Sequence, residues 1–336
     1  MIRIAVDAMG GDLGPETIVS GALAAARDDR SLALTLIGQE DRLRAAMGAS
    51  ADAAALDVRI VPASDVIGMG EPPTAALRRR PNASIRVAAA EVASGRAAAL
   101  FSAGNTGATV MAAHAAFGML KGADRPALAT TIPTRLGVAV LLDVGANVDC
   151  RPQHLVQFAA MGRVYARLAL GIEAPRIGLL SIGEEENKGN DLTREAHRLL
   201  KAGDLTFIGN IEARDIYAGR ADVVVCDGFT GNIALKVSEG LVELIGDVLR
   251  EGLAGFGLDA SSPPGREAFD LFHTRVDYSE YGGAPLLGVA GLAVVGHGRS
   301  SAKAVRQGIK AAQRFAAGGF IARLQQDIIA CSAGHQ

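Results

Sequence analysis

Short apolar runs recur along the chain, each closed by a polar or small residue and followed by a loop rich in Gly, Asn and Asp. They are Arg3 to Asp7 (RIAVD), Ala97 to Ser102 (AAALFS), Val138 to Asp143 (VAVLLD), Ile177 to Ile182 (IGLLSI) and Asp222 to Asp227 (DVVVCD). Apolar runs this short, without alternation, predict strands buried on both faces, as in a parallel sheet. Leu32 to Ile37 and Val58 to Val61 predict two more. Between the runs lie stretches of helical period, and strands alternating with helices predict an α/β fold with right-handed crossovers. No tandem repeat or Pro- or Ser-rich linker divides the chain, so a single domain over residues 1–336 is expected, with Ser261 to Gly265 (SSPPG) as a surface loop.

Ala97 to Leu120 carries no formal charge and is long enough to test for a membrane span. Gly104, Asn105, Thr106 and Gly107 fall in its middle, where lipid would leave backbone polar groups unsatisfied. The segment predicts a buried strand, a tight turn and a buried helix. The opening MIRIAVD has too few apolar residues before Asp7 for a secretory signal.

In open α/β sheets ligands bind beyond the carboxyl ends of the strands. Five loops there stand out: Ala8 to Asp12 (AMGGD), Ser102 to Gly107 (SAGNTG), Asp143 to Asn147 (DVGAN), Gly183 to Asp191 (GEEENKGND) and Asp227 to Asn232 (DGFTGN). Glycine admits an anion close to backbone N–H groups, and a following helix N-terminus adds partial positive charge. One such loop is ordinary turn and cap chemistry. Five in series predict a shared anion-binding crevice. The chain holds 41 glycines among 336 residues, many of them in these loops.

Composition narrows the partners. A net charge of −2, 4% aromatic residues and no Trp argue against nucleic acid, which needs a basic field or stacking faces. Three widely spaced cysteines predict neither a disulfide framework nor a CxxC metal site, as expected of a cytoplasmic protein, and Cys226 reads as a packed thiol. Six scattered histidines predict no metal site. The dinucleotide GxGxxG, the P-loop, the GxSxG elbow and the HExxH helix are all missing, and no cofactor is expected.

Taken in order, IAVDAMGGD (Ile4 to Asp12), SAGNTGA, LLDVGAN, LLSIGEEENKGN, DVVVCDGFTGN and DYSEYGGAPLLG resemble the PlsX family, the bacterial phosphate acyltransferases, over about residues 4–318. The resemblance implies a three-layer α/β/α fold with a mostly parallel sheet, related to isopropylmalate dehydrogenase and phosphotransacetylase. It implies acyl transfer from acyl-[acyl carrier protein] to inorganic phosphate, a homodimer, and delivery of acyl phosphate to the membrane glycerol-3-phosphate acyltransferase. Such a reaction requires positioning and charge stabilisation more than a covalent nucleophile.

On that reading Lys188, Asn190 and Asn232 are the expected catalytic residues. Lys188 would hold phosphate or the developing oxyanion, and the two amides would donate to the carbonyl or to phosphate. The expected phosphate and substrate site is Asp7, Gly10, Gly11, Ser102, Asn105, Thr106, Gly107, Asp143, Asn147, Gly183, Asp227, Gly228, Gly231 and Tyr281. The bland alternatives are a solvated Lys188 balancing Glu184, Glu185 and Glu186, and aspartates that only cap turns. His197 is expected at the surface. A metal- and NAD-dependent dehydrogenase on a similar fold, and a noncatalytic scaffold, remain open alternatives.

Family members can dock on membranes through a hairpin, here at about residues 240–276. Arg250, Arg266 and Arg275 face Glu251, Asp259, Glu267 and Asp270, so anionic lipid attracts it weakly and only weak peripheral contact is expected.

Overall fold

The computed structural model describes residues 1–48, 55–255, 262–276 and 282–333. Among them eleven strands form one sheet, in the order β3-β2-β1-β4-β11-β10-β5-β6-β9-β7-β8. One half is built from β1 (Ile2–Asp7), β2 (Leu32–Gly38), β3 (Val58–Pro62) and β4 (Ala99–Ser102). The other has β6 (Gly137–Leu142), β7 (Ile177–Leu180), β8 (Phe207–Ile211) and β9 (Val223–Val225). All neighbours within each half are parallel.

Three further strands join the halves. β5 (Ala127–Thr134) and β10 (Ala284–Leu287) run antiparallel to their neighbours, and β11 (Ala293–Val295) lies parallel to β4. These strands were not legible in the pattern. β10 and β11 are only four and three residues long, and β5 mixes Thr130, Thr131 and Pro133 into its apolar positions.

Helices cover both faces because the strands are apolar on both. β2, LALTLIG, is buried at every position. One face packs against α1 (Gly14–Asp28), α6 (Pro152–Leu170), α7 (Asp191–Ala202), α10 (Ala302–Ala317) and α11 (Phe320–Ala333), with Phe158, Leu23 and Val305 fully buried. The other packs against α3 (Pro73–Arg79), α4 (Ser84–Ala93) and α5 (Thr106–Phe117). Each large aliphatic side chain buried this way contributes roughly 1.5–3 kcal/mol before ordering entropy is charged against it. A short helix, α2 (Glu40–Gly48), flanks β3.

The uncharged Ala97 to Leu120 segment is β4, a turn and α5, as expected. Among the described residues no helix is long and apolar enough to cross a membrane.

Two helices stand apart. α8 (Gly228–Gly255) runs 28 residues from the end of β9 and packs against α9 (Pro263–Val276). Arg250 lies over the Phe269 ring at 5.9 Å, and Gly246 faces the Phe272 ring, so the two run antiparallel. Pro263 to Gly265, expected in a loop, form the first turn of α9. Proline suits that position because its missing N–H would have no helical partner there.

Candidate active site

The strand-end loops are tied to one another by short polar contacts. Ser102 donates to Asp7 Oδ2 at 2.8 Å, and the Gly104 N–H donates to the Ser102 hydroxyl at 3.1 Å. A Cβ on Gly10 would lie 2.6 Å from the Gly104 nitrogen, so the first and second loops cross only because both are bare. Burial pushes the Asp7 carboxyl up, and the Ser84 and Ser102 hydroxyls and the Met9 amide only partly offset it. Its Oδ1 is buried with no hydrogen-bond partner among the described residues.

Several expected site residues spend their polar groups on the scaffold. Asn105 caps α5 by accepting from the Ala108 N–H, and its amide donates to the carbonyls of Gly68, Met69 and Glu71. Asp143 accepts from the backbone N–H groups of Leu128, Gly145, Ala146 and Asn147 and from the Asn147 amide. Burial still pushes its carboxyl up. Asn147 also donates to the Pro126 carbonyl at 2.6 Å. Asp227 caps α8 through the Thr230 N–H and hydroxyl. Gly228 and Gly231 let α8 lie against the β6 loop: a Cβ on Gly228 would meet the Asn147 carbonyl at 2.5 Å.

A cavity of about 430 Å³ opens between these loops, the start of α8 and the loop after β11. Phe101, Leu128, Val144 and Val295 give it an apolar wall; Thr106, Asn232, Lys236, Glu239, His297 and Arg299 give it polar groups. The Asn232 side chain stands against Gly145 and makes no hydrogen bond among the described residues. The backbone of Asp12 donates to the Gly298 carbonyl at 2.8 Å, closing the rim. Asp7, Gly10 and Asn105 line a separate, very small buried cavity beneath. Gly11 sits against the Gly298 carbonyl, and Gly107 against the Pro73 ring.

Lys188 does not line the large cavity. Its stem packs over Gly183 on the exposed loop after β7. Two of the neighbouring glutamates are paired elsewhere, Glu184 with Arg220 at 2.6 Å and Glu186 with Lys201. Among the described residues the Lys188 ammonium has no ion pair; its side chain is exposed and its stem shares the face of Gly183 with the Glu185 carboxylate. Asn190 caps α7, accepting from the Thr193 N–H at 3.0 Å. His197, expected at the surface, is buried, with Nδ1 at 2.9 Å from Asn210 Oδ1 and the ring edge-on to Phe207. The partner strand β8, unread in the sequence, is what covers it. Tyr281 lies outside the described residues.

Lys236, Glu239 and His297 were not anticipated. Asn232, Lys236 and Glu239 follow at helical spacing on one face of α8, a signal present in the sequence. His297 belongs to a sixth strand-end loop, Gly296 to Ser301, in which Ser301 caps α10 by accepting from the Ala304 N–H. It escaped notice because β11 is so short.

A polar-rimmed cavity beyond the strand ends of a mostly parallel sheet is where α/β enzymes bind small ligands. In solved structures the fold is matched by a phosphotransacetylase from Streptococcus pyogenes, with a TM-score of 0.63, 19% identity and 94% of each chain covered. A branched-chain phosphotransacylase from Enterococcus faecalis matches with a TM-score of 0.57, 18% identity, and 94% of this chain and 99% of that one covered. These likenesses establish the fold. The family described as "Fatty acid synthesis protein" matches residues 2–323. A "Phosphate acyltransferase" of Geobacter sulfurreducens is 49% identical, over 97% of this chain and 94% of its own. Another, of Acidobacterium capsulatum, is 46% identical over 99% and 98%. The chain belongs to this family, the PlsX family of acyltransferases.

Proposed function

We propose that the chain transfers a fatty acyl group from acyl-[acyl carrier protein] to inorganic phosphate, releasing acyl phosphate for phospholipid synthesis. The observation that carries this is the cavity itself, which sets an apolar wall for an acyl chain beside the unengaged amide of Asn232. A phosphate oxygen attacks the thioester carbonyl, the C–O bond forms, the C–S bond breaks, and the thiolate leaves with the electron pair. Carbonyl oxygen and phosphate both carry negative charge on the way, so fixed donors lower the barrier.

Asn232 donates to one of these oxygens, and the backbone N–H groups near Gly10, Gly11, Thr106 and Gly107 offer further donors. Lys188, which has no ion pair among the described residues, swings its flexible stem to the phosphate. Asn190 has its Oδ1 occupied as a cap and keeps its N–H groups for the same oxygens. Asp7, Ser102, Asn105, Asp143, Asn147, Gly183, Asp227, Gly228 and Gly231 act here by shaping the loops.

Residues 1–336 form one acyltransferase domain with α8 and α9 as an appended hairpin. α8 exposes Phe229, Ile233, Val237, Leu241, Leu244, Ile245 and Val248 along its length. A continuous exposed apolar stripe of this kind calls for a partner surface, and a second copy in a homodimer supplies it. The enzyme works in the cytoplasm with weak peripheral contact at the membrane, where the glycerol-3-phosphate acyltransferase takes up its product. Purified protein incubated with acyl-[acyl carrier protein] should release free thiol only when phosphate is present. Equal release without phosphate would make it a thioesterase, and no release would remove the enzymatic reading.

A further inference from the structure

His297 lines the cavity between Gly296 and Gly298, and both ring nitrogens have neighbours. The Arg299 backbone N–H donates to Nδ1 at 3.2 Å. Nδ1 therefore offers its lone pair, and in a neutral imidazole the proton sits on Nε2. Nε2 lies 2.7 Å from Lys236 Nζ and 3.5 Å from Glu239 Oε2. Lys236 Nζ is in turn 2.8 Å from the same Glu239 oxygen. At 2.7 Å one of these two nitrogens donates and the other accepts, so a proton lies between Lys236 and His297.

Glu239 is the anion of the trio. Burial pushes its carboxyl up, but hydrogen bonds from His297 and Lys236 outweigh that and hold it below the usual range. The other charged groups facing the cluster are Asp12 across the cavity and Arg299, which stands 3.9 Å from Glu243 of α8.

The acyl transfer proposed above leaves one proton to be moved. Monohydrogen phosphate enters with a hydroxyl proton, and an alkyl thiolate leaves as a base. When the C–O bond has formed and the C–S bond has broken, the products are an acyl phosphate dianion and a neutral thiol. Net, one proton leaves the phosphate hydroxyl and one arrives on sulfur.

Given that reaction, we propose that the His297–Lys236 pair is its proton carrier, taking the hydroxyl proton of the attacking phosphate and returning one to the departing sulfur. His297 and Lys236 face the substrate, and Glu239 is a positioning residue that holds Lys236 against the imidazole. The 2.7 Å contact lets a proton taken from phosphate pass between the two nitrogens before it returns to sulfur.

The test compares two thioesters of the same acyl chain, one with an alkyl thiol and one with an aryl thiol. The aryl thiolate is a much weaker base and leaves without a proton. His297→Asn and His297→Gln should lower turnover of the alkyl thioester by about 10²–10⁴-fold, the range of general acid–base catalysis, and that of the aryl thioester by less than about tenfold. Glu239→Gln should displace the pH profile of kcat/KM for the alkyl thioester while leaving the KM for phosphate within about twofold. Loss shared equally by both thioesters, or no loss, in whichever His297 variant melts like wild type overturns the assignment. Wild-type conversion of both thioesters to acyl phosphate is the separate condition on which the acyl-transfer reading stands, and its failure overturns both.

Discussion

Gly231 in the first turn of α8 presses on the carbonyl of Asp143 so closely that a Cβ there would lie 1.9 Å from its oxygen and 2.8 Å from Cys226 Sγ. No rotamer relieves a clash with backbone. The seat of α8, and with it Asn232 and Lys236, depends on that contact. Gly231→Ala should cost about 2 kcal/mol or more and lower activity further than the loss of folded protein accounts for. Urea unfolding with activity measured per folded molecule checks this; an unchanged midpoint and rate would mean that α8 is free to shift.

Asp7 predicts a pH signature. Burial raises its folded pKa above the unfolded value, so its contribution to stability is complete below the unfolded carboxylate range and is lost as pH rises through the folded value. Asn cannot ionise and keeps an acceptor for Ser102. The melting temperature of Asp7→Asn relative to wild type should therefore be higher at pH 8 than at pH 4. A difference independent of pH would show that the folded carboxyl titrates as the unfolded one does, its charge compensated by a partner.

Cys150 should be nearly inert. Burial, followed by the charge of Asp143, pushes its thiol up to about 12, with the Gly228 backbone only partly opposing. Since the thiolate is the reactive species, alkylation at pH 8 should run on the order of a thousandfold slower than at a free thiol. Cys226, fully buried at the end of β9 and with its thiol also pushed well up by burial, should not react before unfolding. Mass spectrometry of the two peptides after timed iodoacetamide treatment reads both rates, and fast labelling of Cys150 contradicts the packing around it.

The α8 stripe makes the proposed dimer testable. Leu241→Glu combined with Leu244→Glu places two charges on an exposed apolar face, so the isolated fold should tolerate them. Light scattering should report a dimer for wild type and a monomer for the double variant, with melting lowered by the loss of mass-action stabilisation. A double variant that remains dimeric would move the interface elsewhere.

What could be read from the sequence follows burial. Runs such as Leu32 to Ile37 and Val138 to Leu142 are apolar on both faces, and the structure makes them strands with ends shifted by a residue or so. Where a strand is three or four residues long, as β10 and β11 are, periodicity has nothing to register. The site divides along the same line. The five Gly-rich loops were visible because strand and loop are adjacent in the chain, whereas the loop bearing His297 follows a strand too short to notice. Lys236 reads as an ordinary solvent-facing helix lysine until α8 is seated against the cavity. Conversely, Asn105, Asp143 and Asn147 look like ligand-binding groups in sequence, and only the folded structure reveals that they hydrogen-bond to the loops around them and, for Asp143 and Asn147, to each other.

Acyl transfer to phosphate keeps all four phosphate oxygens, because the bond that breaks is C–S. Purified protein given long-chain acyl-[acyl carrier protein] and phosphate labelled with ¹⁸O at all four positions should yield acyl phosphate that retains the four labels, with one free thiol per product by mass spectrometry. Replacing Asn232 by Ala or Lys188 by Met should cut that yield by orders of magnitude. Free fatty acid formed at the same rate with or without phosphate, and no labelled acyl phosphate, would contradict the proposal.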